Sequence, residues 1–421
     1  MNVIKDIIIE KGALKEVPEL VKELAGNKKI YIISDENTFQ AAGKELSRLL
    51  KPNNSIKKII LKGEHVVANT DYFFKILTHV NRDGFLIACG SGSINDLTRY
   101  LSYKLEIPYL VVATAPSMDG YASSVAPITV DGVKETYNAA APQAIVADID
   151  ILREAPVEMI QAGFGDLIGK ITSLMDWQLS SILFGIELNE RSITLVQKEL
   201  IKVIERAGDL NGRIDESIKD LTRGLINSGI AMQIEGNSRP ASGTEHHISH
   251  FLEMYGEIHN TDIPPHGIKV AIGEFFAAGL YLKLYETDFS ELKNVDDFNE
   301  RKKRIKKNYL DRARPVLETL EGRWEKDRLD MELLREKEDD IKALIEENRE
   351  YLVHVADYLN KAGIFARKDV KRISRSWLLA ALQSAFEIRD RYTVATLLNQ
   401  VGLLEKWSYQ LVDDFFEVLK Y

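Results

Sequence analysis

Over roughly the first 150 residues, short β-branched runs alternate with stretches in which apolar residues recur every three or four positions. The runs at 29–34 (KIYIIS), 55–61 (SIKKIIL), 84–89 (GFLIAC) and 108–113 (PYLVVA) predict buried strands. Helical spacing separates them at 39–50, at 73–80 and again after the glycines that follow 89. This alternation predicts an α/β domain with a mostly parallel sheet. Two more strand-like pieces within 123–147, SVAPITV and QAIVAD, read as a late hairpin and an edge strand. The texture changes near Arg153-Glu154-Ala155-Pro156, beyond which long β-branched runs disappear. A boundary there gives an α/β domain over 1–155 and an all-helical domain over 156–421. Helices are expected in the latter at 164–183, 188–206, 215–229, 244–255, 268–285, 377–386 and 393–404. The stretch 301–350 is densely charged, yet Leu317, Leu320, Trp324, Leu329, Leu333 and Leu334 recur within it, so it reads as a solvated helical face.

Composition narrows the class. A chain of 421 residues exceeds one ordinary core, which favours two or three domains. With 64 Asp and Glu against 55 Lys and Arg the formal charge is −9, a poor match for nucleic acid or anionic lipid. The lone cysteine, Cys89, excludes an internal disulfide and fits a reducing compartment. The N-terminal stretch has no apolar signal core, and nothing approaches the ~20 apolar residues of a membrane span. A cytoplasmic protein is expected, with no nucleic-acid partner and no membrane insertion.

The third strand runs into Gly90-Ser91-Gly92-Ser93-Ile94-Asn95-Asp96 and then a helix. Glycines let backbone approach a phosphate closely, and a helix N-terminus offers it unpaired N–H groups. The string lacks the third glycine of G-x-G-x-x-G and sits on a later βα unit than a standard dinucleotide fold uses, so a tight structural turn explains it as well. Asp35, closing the first strand, suits ribose hydroxyls. Thr114-Ala115-Pro116-Ser117, closing the fourth, brings hydroxyls to the carboxyl edge of the sheet, where open α/β sheets bind ligands. Three strand ends bearing ligand-type residues carry more weight than any one of them.

Five of the 8 histidines fall within 238–269: His246, His247, His250, His259 and His266. His246 and His250 share one face of a helix. His266 follows Pro264-Pro265, where a helix does not simply continue. Neutral imidazole is the commonest transition-metal ligand, but ordinary helix and loop histidines would look the same until a carboxylate joins them. Asp119 lies on the loop after the fourth strand, and Asp166, in GFGDLIGK, falls at the expected start of a helix. A carboxylate there is favoured by the helix dipole alone. As a ligand it would join His246 and His266, and an Asp/His/His set leaves positions open for substrate.

The strings TAPSMDGYAS (114–123), GDL (165–167), SRPASGTEH (238–246) and PHG (265–267) resemble the sn-glycerol-1-phosphate dehydrogenase family in its bacterial branch. Its wider relatives are glycerol dehydrogenase, the iron-type alcohol dehydrogenases and 3-dehydroquinate synthase. The resemblance covers about 29–284 and a later block, IRDRYT at 388–393. It implies an N-terminal Rossmann-like α/β domain followed by an all-helical dehydroquinate synthase-like domain, with the active site in the cleft between them. It implies reduction of dihydroxyacetone phosphate to glycerol 1-phosphate with NAD(H) or NADP(H), feeding ether- or glycerophospholipid synthesis. One divalent metal, Zn2+ or Ni2+, and a homodimer are also implied. Carried over by motif, the metal ligands are Asp166, His246 and His266, and the substrate contacts are Asp119 and His250. The cofactor contacts are Asp35, Gly92, Ser93, Ile94, Asn95, Asp96, Thr114, Ala115, Pro116, Ser117 and Ser123.

Some relatives carry His-x-x-His, which would fit His247 with His250; the match to the phosphate-substrate branch favours His246. For the substrate phosphate, Lys170 and Arg239 are candidates, each equally readable as a surface or capping cation. Glycerol dehydrogenase shares the chemistry without a phosphate site. A 3-dehydroquinate synthase would carry a richer set of active-site lysines and arginines. A catalytically silent scaffold would have no reason to retain Asp166, His246 and His266 together.

Overall fold

The computed structural model describes residues 4–63, 65–130 and 133–420. The chain divides into two compact units: residues up to Gly163 with Asp209–Ile234, and Phe164–Gly208 with the residues from Glu235 on.

The first unit holds the strands β1 (Asp6–Glu10), β2 (Ile30–Asp35), β3 (Ile56–Leu61), β4 (Phe85–Gly90), β5 (Tyr109–Ala113), β6 (Val125–Val130), β7 (Val133–Asn138) and β8 (Ala144–Asp148). Six of them form a wholly parallel sheet in the order β1-β8-β5-β4-β2-β3. Strands β4, β5 and β8 are buried at every position, as strands covered on both faces must be. Edge strand β3 carries Lys57 and Lys58, charges that discourage pairing with another chain.

The four expected strands form within one residue of their expected limits. Two features differ. An N-terminal strand, β1, was not expected, and β8 is interior rather than an edge: Ala144 pairs with Asp6 on one side and Leu110 on the other. Because β1 occupies the edge, the apolar AIVAD segment is covered on both sides. The hairpin β6–β7 forms a separate two-stranded antiparallel sheet.

Strand order reverses between β2 and β4. From β2 the chain steps outward to β3, then returns to β4 and proceeds the other way through β5. The carboxyl ends of β2 and β4 therefore flank the switch point, where an open sheet leaves a crevice for ligands. This topology explains why the glycine loop follows a later strand than in a standard dinucleotide fold.

Most of helix Asp215–Glu235 belongs to this unit. Asp215 pairs with Arg153 at 2.9 Å and with Lys11. Further along, Ser228 donates to Asp119 at 3.0 Å, and Gln233 donates to the Ala122 carbonyl.

The second unit is helical. Its centre is helix His266–Tyr285, whose Ile268, Val270, Ile272, Phe276, Leu280 and Tyr281 are all buried. A helix apolar on every side is a core helix, and Lys170–Phe184, Thr244–Ile258, Glu338–Val353 and Leu404–Val418 pack around it. The charged stretch is helical but not simply a solvated face. Arg301 is buried and forks onto buried Glu387 at 2.8 and 2.6 Å. Arg323 is also buried and donates to the Phe386 and Arg389 carbonyls at 2.8 and 2.7 Å. A planar guanidinium is tolerated inside when its donors are matched in this way. Among the described residues, no helix is long and apolar enough to cross a membrane.

Candidate functional site

Asp166 lies near the end of helix Val157–Ile168, not at a helix start. The helix begins earlier than expected, just after Pro156, so Asp166 sits at the electronegative end of the dipole. Its stabilisation comes instead from Lys170, whose fully buried ammonium stands 3.0 Å from Asp166 Oδ1 and 3.0 Å from the Ala241 carbonyl. Lys170 is thus a buried counter-charge rather than a surface cation.

Two glycines bring the histidines to this carboxylate. A Cβ on Gly165 would collide with the Gly267 carbonyl, and one on Gly273 would collide with the Glu245 carbonyl. Without side chains at these points, the turn bearing His266 presses against Asp166, and helix His266–Tyr285 presses against the first turn of helix Thr244–Ile258. As a result, one ligand atom from each of Asp166, His246 and His266 lies within 4.8 Å of the others.

His246 Nε2 is 3.5 Å from Asp166 Oδ1, and its Nδ1 is 2.7 Å from Glu245 Oε1. The same Glu245 oxygen accepts the Gly243 N–H at 2.8 Å, and Glu245 is fully buried. A carboxylate behind an imidazole fixes its tautomer and turns the other nitrogen outward as a donor. Ser249 Oγ stands 3.4 Å from His266 Nδ1. One carboxylate and two imidazoles, one of them backed by a second carboxylate, fit a divalent transition metal.

Electrostatics set the charge state of each of these groups. Burial pushes the Asp166 pKa up, but Lys170 and the two imidazoles outweigh it and hold the carboxyl well below its usual range. For His246, burial and Lys170 push down, and the bonds to Asp166 and Glu245 more than compensate, so its pKa is raised. Burial drives His266 well below its ordinary value, which leaves a neutral imidazole.

The remaining histidines separate. His250 is partly buried, with ring centroids 6.1 Å from His246 and 5.6 Å from His266, and burial lowers its pKa to about 4. A second possible donor set, His250 with Glu253 and His266, shares His266 with the first. His247 is fully buried with neither nitrogen hydrogen-bonded among the described residues, so it is His246 that meets Asp166. His259 caps its helix and bonds the Tyr255 carbonyl at 2.8 Å.

In the sheet unit, β4 ends at Gly90 and helix Gly92–Leu105 follows. The Asn95 N–H, bonded to the Ser91 carbonyl at 2.9 Å, is the first to enter the helical ladder. The N–H groups of Gly92, Ser93 and Ile94 precede it and have no helical partner. Ser91 Oγ lies 2.5 Å from Ser117 Oγ, and the Thr114 N–H bonds the Gly90 carbonyl at 3.2 Å, which ties this loop to Thr114-Ala115-Pro116-Ser117. Both polar atoms of the Asn95 side chain are buried with no partner among the described residues. Asp96 pairs with buried Arg99 at 3.2 Å, and Arg99 also bonds the Ser123 carbonyl at 3.3 Å. Across the switch point, Asp35 Oδ1 accepts the Thr38 N–H at 2.8 Å, which holds the carboxylate at the end of β2. Unpaired first-turn amides with an orphaned amide side chain fit the phosphates of a dinucleotide.

The sequence did not single out Glu245 and Ser249, nor the pairing of Lys170 with Asp166. The four-residue spacing of Asp166 and Lys170 was the available signal for that ion pair, and Glu245 directly precedes His246.

A family profile described as iron-containing alcohol dehydrogenase matches residues 8–156. The glycerol-1-phosphate dehydrogenase (NAD(P)+) of Bacillus licheniformis is 32% identical over 413 residues, covering 96% of this chain and 90% of that one. The enzyme of the same name from Bacillus subtilis is 35% identical over 292 residues, covering 68% and 73%. The glycerol dehydrogenase of Schizosaccharomyces pombe superposes with a TM-score of 0.62 at 15% identity over 97% of this chain and 91% of that one, a likeness of fold alone. On the extent and identity of the Bacillus matches, the chain belongs to the NAD(P)-dependent glycerol-1-phosphate dehydrogenase family.

Proposed function

We propose that this chain reduces dihydroxyacetone phosphate to sn-glycerol 1-phosphate with NADH or NADPH. The observation that carries this reading is the match along nine-tenths of the Bacillus licheniformis enzyme, together with the Asp166, His246 and His266 set backed by Glu245. In the overall reaction, C2 of the ketone gains the hydride of the reduced nicotinamide, its oxygen gains a proton, and the nicotinamide is left oxidised.

Asp166, His246 and His266 would hold one Zn2+ or Ni2+, whose chemistry at such a site is Lewis acidity toward the ketone oxygen. Lys170 keeps Asp166 ionised, and Glu245 keeps His246 Nε2 turned toward it. His250, neutral at pH 7, orients the substrate by hydrogen bonding. Asp119, steadied by Ser228, makes a second substrate contact. Asp35, Gly92, Ser93, Ile94, Asn95, Asp96, Thr114, Ala115, Pro116, Ser117 and Ser123 bind the cofactor. Fixing its pyrophosphate leaves little freedom to be lost when hydride moves. Asp35 against the ribose would repel a 2′-phosphate and so favours NADH. In this reading, residues 1–155 serve the cofactor and 156–421 serve metal and substrate, in a cytoplasmic homodimer.

The test is a spectrophotometric assay on chelated and then metal-restored protein, with dihydroxyacetone phosphate and with dihydroxyacetone, and with each nicotinamide. Cofactor oxidation is expected only after metal is restored, with strong preference for the phosphorylated ketone. A preference for dihydroxyacetone would reassign the chain as a glycerol dehydrogenase. No oxidation with either ketone under any metal would sink the reading.

A further inference from the structure

Within the helical unit, the turn before the histidine helix and the IRDRYT segment are stitched together. Arg391 donates to the Ser238 carbonyl at 3.2 Å, to the Ser238 hydroxyl at 3.1 Å and to the Ser242 carbonyl. Asp176, buried beneath both, accepts the Thr244 N–H at 2.7 Å and the Val394 N–H at 2.8 Å. From the other side, Arg323 holds the Arg389 carbonyl.

These stitched segments carry two more arginines, Arg239 and Arg389. Among the described residues, neither guanidinium has a hydrogen bond or an ion pair; their only bonds run through the backbone. Asp390, between Arg389 and Arg391, pairs with neither. The three cations are nevertheless gathered: Arg391 is bonded to Ser238, the neighbour of Arg239, and Arg389 lies two positions before it; after burial, the charges of Arg239 and Arg389 depress Arg391 to about 10. The bond from Arg391 to the Ser242 carbonyl sets the cluster beside the start of the helix Thr244–Ile258, which presents His246. Two carboxylates face Arg391, Asp176 and Glu245, and both are engaged. Asp176 accepts from the Tyr281 hydroxyl and two backbone N–H groups, and Glu245 from His246 and Gly243.

Three guanidiniums gathered with no counter-charge on two of them repel one another, and an anion placed among them removes the conflict. Guanidinium forks match the oxygens of a phosphate two at a time. We infer that Arg239 and Arg389 clamp the phosphate of the substrate, with Arg391 as the positioning residue that fixes the turn carrying Arg239. This rests on the phosphate-substrate reading above, and it would make the clamp the feature that separates this site from one reducing an unphosphorylated ketone.

The experiment compares metal-restored wild type with R239A, R389A, R239K and R389K. In each Ala variant, the ratio of kcat/KM for dihydroxyacetone phosphate to that for dihydroxyacetone should fall about a hundredfold, chiefly through KM. Lys should recover part of it. Competitive inhibition by inorganic phosphate should weaken at least about tenfold in the same variants. An unchanged ratio in both Ala variants overturns the clamp. If the wild type does not use dihydroxyacetone phosphate, the functional reading falls, and the clamp is judged separately by calorimetric binding of inorganic phosphate. Weaker binding in the variants supports it, and equal binding overturns it. Unfolding midpoints and metal content accompany each variant, and where an Ala variant does not fold, the Lys variant decides.

Discussion

Replacing Lys170 with Met tests what holds Asp166 in place. The side chains are of similar length, so the change removes a charge while largely keeping the volume. Lys170 and Asp166 are fully buried at a separation of 3.0 Å. With an effective permittivity of about 20, their attraction is about 5–6 kcal/mol, and breaking buried pairs typically costs about 3–5 kcal/mol. Chelated K170M should therefore lose about 3–5 kcal/mol relative to chelated wild type. For a unit of this size that is a fall of roughly 6–20 °C in Tm. A cation bound between Asp166, His246 and His266 supplies the missing positive charge, so at saturating metal most of the deficit should disappear. Thermal unfolding of both proteins, with chelator and with metal, measures the two gaps. Equal losses in the two conditions would refute the argument and show that Lys170 acts by packing against its neighbours, not by neutralising Asp166.

The other expectations are more compact. E245Q removes the carboxylate behind His246 Nδ1 and should weaken metal affinity about ten- to a hundredfold in a competition titration with a chromogenic chelator; unchanged affinity would reduce Glu245 to a partner of the Gly243 N–H. H250A should lower turnover by roughly a hundredfold while elemental analysis still finds near-stoichiometric metal, and loss of the metal would make His250 a ligand. Burial, with the charge of Glu245, pushes Asp176 up to about 7 from an ordinary 3.8. Between those values the folded protein keeps a proton the unfolded chain has released. Stability should therefore fall as pH rises through that window, by up to about 1.4 kcal/mol per pH unit, and then level off; the same fall in D176N would rule Asp176 out as its source. G165A should cost about 1–3 kcal/mol and weaken metal retention, because the added methyl drives the Gly267 turn away from Asp166; an unaltered metal content would show that the turn tolerates the shift.

Much of this protein was legible along the chain. β-branched runs located β2 to β5 within a residue, since β2, β4 and β5, buried on both faces, advertise themselves by apolar content, and edge strand β3 keeps enough isoleucine and leucine to show beside its two lysines. Three- and four-residue spacing located the histidine helix and the core helix after it. The chemistry of short strings singles out Asp166, His246 and His266, whose ligand atoms the structure brings within 4.8 Å of one another. Only the tertiary structure decided neighbours. It placed β8 inside the sheet because a three-isoleucine strand near the N-terminus, flanked by charges, took the edge. It set the switch point between β2 and β4, a property of strand order that no local pattern encodes. Arg301 and Arg323 lie in stretches that look solvated, and they are buried because their partners stand 86 and 63 positions away. Asp166 likewise owes its ionisation to a lysine one turn on and to His246 and His266, 80 and 100 positions away in sequence but adjacent in space. Periodicity reports which face of an element meets the interior, whereas the burial of a charge depends on what packing brings opposite it.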